Sequence, residues 1–293
     1  MSQAQQHDGH RGRGPAVGET PGRLSVAGLG PGGARHLTPE VRDRLEEARA
    51  VAGYTTYLGL IDPALLEGKK IISSGMTREV KRCAEAIEAA ASGLDTVLVS
   101  SGDPGVYGMA GLVLEMLEER GLLESLDWEV LPGLPALSAA SALLGAPLMH
   151  DFAVISLSDL LTPWETIEKR LEAAASADFV LVLYNPRSKK RPHLLRRALD
   201  IAGRHLPPET PVGHVRAASR EKESVWRGTL ATVDPARVDM LSLLVLGNSS
   251  TRLLGRKGSD PEAMVTPRGY REKYDLAGSE GDRDRREPAD DAP

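Results

Sequence analysis

Cysteine is almost absent: Cys83 is the only one in 293 residues. An intramolecular disulfide is therefore excluded, and so is a cysteine-ligated zinc or iron–sulfur centre built from this sequence. Such usage fits a reducing cytosol, and a cytoplasmic location is the expectation. Long apolar runs are missing too. Nothing approaches the roughly 18 consecutive apolar residues of a membrane-spanning helix, and the first residues lack the charged-then-apolar pattern of a secretory signal. Excess positive charge is also lacking. Against 36 Lys and Arg stand 41 Asp and Glu, for a formal net charge of -5. Bulk electrostatics then disfavours nucleic acid and anionic membranes as partners, and any basic site has to be local. No internal repeat of fixed period is present.

With 41% hydrophobic and 26% charged residues, the chain has the make-up of a globular protein. Residues 1–22, rich in Gly, Gln, Arg and His, and most of residues 259–293, which are mostly charged from 271 onward, carry too little apolar surface to offset their ordering entropy. Both are expected to be disordered tails. His7 and His10 lie in the first and are read as solvated, with no metal assigned. Between the tails, β-branched strands alternate with helical segments. Strands are expected at 24–29, 51–53, 95–100, 128–131, 152–157, 179–184, 211–216, 224–228 and 241–246, with 224–228 a hairpin partner of 211–216. Helices are expected at 38–50, 77–92, 106–120, 135–144, 164–175 and 192–205. The alternation predicts an α/β protein of two α/β domains, 23–146 and 147–258.

Two glycine-rich turns follow apolar strands. One is Gly28-Leu29-Gly30-Pro31-Gly32-Gly33, the other Ser101-Gly102-Asp103-Pro104-Gly105-Val106-Tyr107-Gly108. Glycines just past the carboxyl end of a buried strand let the backbone approach a ligand closely. Two such turns in one sheet suggest a cofactor held between them. Gly28, Gly30 and Gly33 satisfy G-x-G-x-x-G, which raises nicotinamide binding, but two absences count against it. Pro31 intervenes and the helix signal waits until Thr38, so no helix opens directly out of the glycines. No carboxylate stands at Gly53-Tyr54-Thr55-Thr56, where a ribose-binding acid belongs. The carboxylate lies instead in the second turn, at Asp103. It either accepts a ligand's donors or bonds its own backbone as a turn residue.

These turns, with Leu131-Pro132-Gly133, resemble the tetrapyrrole methylases in order, spacing and strand context, over residues 24–254. The run from Gly145 to Trp164, with Ser73-Ser74-Gly75-Met76 and Leu183-Tyr184-Asn185-Pro186, is similar to the branch that methylates ring carbon 17 of precorrin-3B in cobalamin biosynthesis. The resemblance implies two α/β domains of the tetrapyrrole methylase type with the cofactor cleft between them, S-adenosylmethionine (SAM) as methyl donor, and a homodimer. It implies methylation at carbon 17 with contraction of the macrocycle, and no metal for the transfer. It places SAM contacts on Pro31, on Gly102, Asp103 and Val106, on Pro135 and Ala136, and on Tyr184, Asn185 and Ala218. Many relatives carry threonine where Pro135 stands and methionine where Asn185 stands. The uroporphyrinogen branch has an acid where this chain has Tyr54, so its acid–base chemistry does not carry over. An iron–sulfur extension found in some relatives is excluded by the single cysteine. Metal-free and cobalt-containing substrates both stay open. Other targets within the fold are a different precorrin, ribosomal RNA or a translation factor. Acidity counts against RNA, and the run ending at Trp164 counts against the rest.

Ring contraction needs proton transfers, so a general acid or base is expected beside the macrocycle. His150 and Asp151 are the leading candidates, and the alternative is a structural pair at the domain junction. Ser156 and Asp159 follow. A precorrin-type partner carries many acetate and propionate groups, which an acidic protein must meet with local cations. Arg187, Lys189, Lys190 and Arg191 form the first candidate grip, followed by Arg78, Arg82 and Arg216. The alternative is an ordinary solvated basic run.

Overall fold

The computed structural model describes residues 20–276 apart from 189, 257, 259 and 275. The tail expectations for 1–19 and 277–293, with His7 and His10, lie outside the described residues, as does Lys189. The chain divides into two compact units, one ending at Ala139 and one beginning at Ala140. The division falls inside a helix, whereas the change of rhythm in the sequence comes after Pro147.

In the amino-terminal unit the strands are β1 (Leu24–Gly28), β2 (Ala50–Tyr54), β3 (Lys70–Ser74), β4 (Thr96–Ser100) and β5 (Trp128–Leu131). They form one sheet in the order β3-β2-β4-β1-β5, parallel throughout. The helices are α1 (Pro39–Glu47), α2 (Thr55–Leu58), α3 (Glu79–Ala91) and α4 (Ala110–Glu119), with α5 (Ala136–Leu144) beginning here. The central strands read as continuous apolar runs because both faces are covered. Leu24, Val26 and Leu98 pack with Ile87 of α3 and Leu117 of α4. Their alternating neighbours Ala27, Val97 and Val99 pack with Val41 and Leu45 of α1. Helix α1 starts as its sequence dictates: the Thr38 hydroxyl accepts the Val41 N–H at 3.3 Å, with Pro39 at the first helical position. Cys83 is buried against this core, which pushes its thiol up to about 11 and leaves it inert.

The carboxyl-terminal unit holds β6 (Gly145–Ala146), β7 (Phe152–Ser156), α6 (Trp164–Ser176), β8 (Val180–Tyr184), α7 (Leu194–Ala202), β9 (Pro211–Arg216), β10 (Ser224–Thr229) and β11 (Ser242–Leu246). It ends with β12 (Arg252–Leu254), β13 (Ala263–Val265) and α8 (Tyr270–Lys273). Its main sheet runs β10-β9-β11-β8-β7. Only β7 and β8 are parallel, and β9 and β10 form the expected hairpin. Helices α6 and α7 bury Leu171 and Leu195 against Leu183 and Leu244 on one face.

Three features depart from expectation. Strand β3 was not legible because Ile71 and Ile72 are its only apolar residues, and it is an edge strand with one buried position, Ile72. Helix α4 begins at Ala110 rather than 106. Residues 104–109 prolong the second glycine turn, with Tyr107 at φ 53° and the Ala110 N–H bonded to the Pro104 carbonyl at 3.0 Å. The disordered reading of 259–293 is corrected for residues 260–274. There β13 pairs antiparallel with β12 and parallel with β6, Met264 is fully buried, and Thr266 bonds Thr251 at 2.8 Å.

Candidate functional site

Three turns leave the carboxyl ends of the adjacent strands β4, β1 and β5, and they are joined through backbone. Gly30 and Gly102 exchange hydrogen bonds: Gly102 N–H to the Gly30 carbonyl at 2.7 Å, and Gly30 N–H to the Gly102 carbonyl at 3.1 Å. Both glycines are left-handed, at φ 69° and 70°. Gly28 and Gly133 meet so closely that a methyl group on either would strike the other's backbone within 2.8 Å. Asp103 ties the second turn to the third. One carboxylate oxygen accepts the Gly105 N–H at 2.8 Å, the other the Gly133 N–H at 3.1 Å. The carboxylate is thus a turn clamp, whatever else it accepts.

Pro31, buried beside Gly30, and Gly102, Asp103, Val106, Pro135 and Ala136 all fall on these three turns, with Pro135 and Ala136 at the start of α5. Val106 N–H donates to the Asp103 carbonyl at 3.3 Å. The arrangement offers backbone donors and acceptors, small residues and one carboxylate, so it suits holding a ligand more than exchanging protons. No helix opens from Gly28–Gly33: residues Ala34–His36 make a single 3-10 turn and α1 waits until Pro39. Strand β2 ends at Tyr54, whose ring meets Tyr57 edge-on at 5.1 Å. Both absences that counted against nicotinamide hold in three dimensions.

In the carboxyl-terminal unit the remaining candidates sit at the ends of β7, β8 and β9. Asn185 is left-handed, at φ 50°, and its side-chain amide donates to Ser156 Oγ at 2.9 Å. Asparagine tolerates that backbone far better than an unbranched apolar side chain does, which accounts for its presence. Tyr184, the last residue of β8, accepts the Leu157 N–H through its carbonyl at 2.9 Å. Ala218 lies between two left-handed residues, Ala217 and Ser219.

The acid–base and cationic candidates are placed differently. His150 and Asp151 are exposed, their side chains 49% and 81% accessible, and His150 Nδ1 accepts the Asp151 N–H at 2.9 Å. Arg187 donates to the carbonyls of Ala236 and Val238, each at 3.2 Å. Arg191 donates to Asp159 at 2.5 Å and holds that carboxyl below the usual carboxylate range. Arg216 is paired with Asp239 at 2.8 Å. Lys190 and Arg78 are exposed, and Arg82 is buried.

One buried network escaped the sequence reading because its members are distant in the chain. His214 Nε2 and Ser242 Oγ lie 2.9 Å apart, and Ser242 Oγ donates to Asp239 Oδ1 at 3.1 Å. Burial holds the His214 imidazole below its ordinary value of 6.5, partly offset by Asp239. A folded value below the unfolded one means that the unfolded chain takes the proton first. The stability involved is complete above about pH 6.5 and is lost as pH falls through the lowered folded value. His214→Gln is expected to flatten that part of a thermal-denaturation profile. An unchanged slope would assign the loss to other groups.

Residues 23–234 match the family model for the Tetrapyrrole (Corrin/Porphyrin) Methylases. A probable cobalt-factor III C(17)-methyltransferase of Salmonella typhimurium is 48% identical, over 84% of this chain and 99% of its own. A cobalt-factor III methyltransferase of Priestia megaterium is 46% identical over 87% of this chain, which spans only 46% of that longer protein. A precorrin-3B C(17)-methyltransferase of a Sinorhizobium species is 40% identical, over 85% of this chain and 97% of its own. The crystal structure of the methyltransferase CobJ superposes with a TM-score of 0.78 at 40% identity, covering 84% of this chain and all of that one. A uroporphyrin-III C-methyltransferase of Thermus thermophilus, complexed with S-adenosylhomocysteine, has a TM-score of 0.56 at 26% identity, covering 77% and 92%.

Proposed function

The chain belongs to the tetrapyrrole (corrin/porphyrin) methylases, and on that premise we propose that it is a C(17)-methyltransferase of cobalamin biosynthesis whose substrate is the cobalt-containing macrocycle, cobalt-factor III. The observation that carries this reading is the correspondence with the Salmonella relative over nearly its whole length. Cobalt-factor III relatives range from 48% to 39% identity and the precorrin-3B relative stands at 40%, so it is the two highest values, 48% and 46%, that favour the cobalt form.

SAM supplies a methyl group on a positively charged sulfur, already electrophilic, so the protein's task is to hold, orient and exclude water. The three turns of the amino-terminal unit fit that task. The Gly28–Gly133 and Gly30–Gly102 approaches lock the turns together backbone to backbone, with no side chain in the way. Pro31, Gly102, Asp103, Val106, Pro135 and Ala136 are the proposed holders there; Tyr184, Asn185 and Ala218, at strand ends of the carboxyl-terminal unit, are further proposed SAM contacts. The clamp at Asp103 keeps the second and third turns in place before any ligand arrives, which lowers the ordering cost of binding. His150 and Asp151 are the proposed proton-transfer groups, their exposure leaving them accessible to substrate. Among the described residues of the basic run, Lys190 is the exposed cation offered to substrate carboxylates. Arg187 and Arg191 position its segment, through carbonyls and through Asp159. A homodimer in the cytoplasm completes the proposal.

The test is a direct assay. Purified protein is incubated with SAM and either cobalt-factor III or metal-free precorrin-3B, and the macrocycle is followed by mass and absorbance. A gain of one methyl group is expected, with kcat/KM for the cobalt form higher by about tenfold or more, some 1.4 kcal/mol at the transition state. Methylation of a different precorrin, with neither of these two turned over, would overturn the assignment.

A further inference from the structure

Arg82, on α3, is the most buried arginine among the described residues, at 3% exposure. Its Nη1 donates to Ser74 Oγ at 2.6 Å and reaches the Gly75 carbonyl at 3.5 Å. Nη2 has only the Met109 sulfur at 4.0 Å, and Nε is buried with no partner. No carboxylate pairs with this guanidinium among the described residues. Arg44, Arg191 and Arg216 each have a carboxylate partner, and Arg187 and Arg227 each reach two backbone carbonyls; Arg252 also has a buried Nε without a partner, but its residue is only half-buried. A buried charge lacking both is strongly unfavourable unless something else completes it.

Its position says what that is. Ser74 ends β3 and Met109 immediately precedes α4, so the guanidinium lies at the carboxyl-end rim of the sheet. The second glycine turn leads up to it on one side. On the other is the segment 75–78, which has a strained residue, Thr77 at φ 63°, and an exposed Met76. A methyl group on Gly75 would meet nothing within 4 Å, so that segment is open above.

We propose that Arg82 is an anion receptor for a carboxylate of a bound ligand, reached when the 75–78 segment lifts; this rests on the methyltransferase reading. A planar carboxylate matches the free edge of the fork, Nε with Nη2. Such a group comes from one of two sources: the amino-acid end of the methyl donor, or an acetate or propionate of the macrocycle.

Arg82→Met, apolar and similar in reach, separates them. The variant should unfold at or above the wild-type temperature, because an uncompensated charge is gone. With the donor as source, calorimetric affinity for S-adenosylhomocysteine falls tenfold or more while that for 5′-methylthioadenosine, which lacks the carboxylate, is unchanged. With the macrocycle as source, KM for cobalt-factor III rises tenfold or more at unchanged S-adenosylhomocysteine affinity. Arg82→Lys keeps the charge without the fork and should respond in the same arm at smaller amplitude, so the test stands even if the methionine variant fails to fold. Wild-type values within twofold in both arms would overturn the proposal. A wild-type protein that neither binds S-adenosylhomocysteine nor turns over the macrocycle would instead defeat the methyltransferase reading, and the receptor with it.

Discussion

Alanine at position 133 is expected to abolish measurable S-adenosylhomocysteine binding and to lower the unfolding temperature by roughly 6–12 °C, the equivalent of about 3 kcal/mol in a domain-sized unit. The reason is geometric. A β-carbon on Gly133 would lie 2.2 Å from the Gly102 carbonyl oxygen and 2.7–2.8 Å from Gly28 backbone atoms. All of these are main-chain atoms of turns that end central strands, so none can swing aside as a side chain would. Relief requires moving the third turn away from the other two. That movement would also break the Gly133 N–H bond to Asp103, and it would displace Pro135 and Ala136, which follow in the chain. Gly28→Ala should behave alike, since its methyl would meet Gly102 and Gly133 backbone at 2.6–2.7 Å. Calorimetric titration together with scanning calorimetry reads both effects. Wild-type affinity in Gly133→Ala would show that the crossing of the turns has no part in holding the donor.

The glycines were legible before any coordinates because their constraint is local: an apolar strand that ends in several glycines needs left-handed backbone or close approach, and here it has both. The strands of the cores were legible for a similar reason, since burial on two faces leaves runs such as Thr96–Ser100 with little room for polar residues. Other elements depend on partners that a pattern cannot supply. Strand β3 exists because β2 offers it an edge, and β13 because β12 and β6 do. Helix α4 starts late because residues 104–109 close into a turn of their own, with the Ala110 N–H bonded to the Pro104 carbonyl six residues back. Charges show the limit most plainly. The spacing of Arg187, Arg191 and Arg216 reads as a basic surface, yet carbonyls or a carboxylate elsewhere in the chain engage each of them. Composition records how many cations there are. Pairing across tens of residues decides which remain available.

Asparagine at position 103 is expected to be nearly as damaging as alanine, and this ordering separates a clamp from a charge. The two carboxylate oxygens accept two different N–H groups, of Gly105 at 2.8 Å and Gly133 at 3.1 Å. An asparagine has one oxygen and one NH2, so whichever way it turns, a donor faces a donor. The orphaned N–H costs about 1–3 kcal/mol when its turn is closed. Held open, the second and third turns must be ordered at the moment of binding, which is charged against affinity. S-adenosylhomocysteine dissociation constants some 10–100-fold above wild type are therefore expected for both Asp103→Asn and Asp103→Ala, about 1.4–2.8 kcal/mol. Were the carboxylate needed only to receive a ligand's donor, asparagine would serve through its oxygen and only alanine would fail. An asparagine variant with wild-type affinity beside a crippled alanine variant would thus refute the clamp. Equal loss in the two, accompanied by faster amide hydrogen exchange at Gly105 and Gly133, would establish that this aspartate acts on the protein's own backbone before it acts on anything bound.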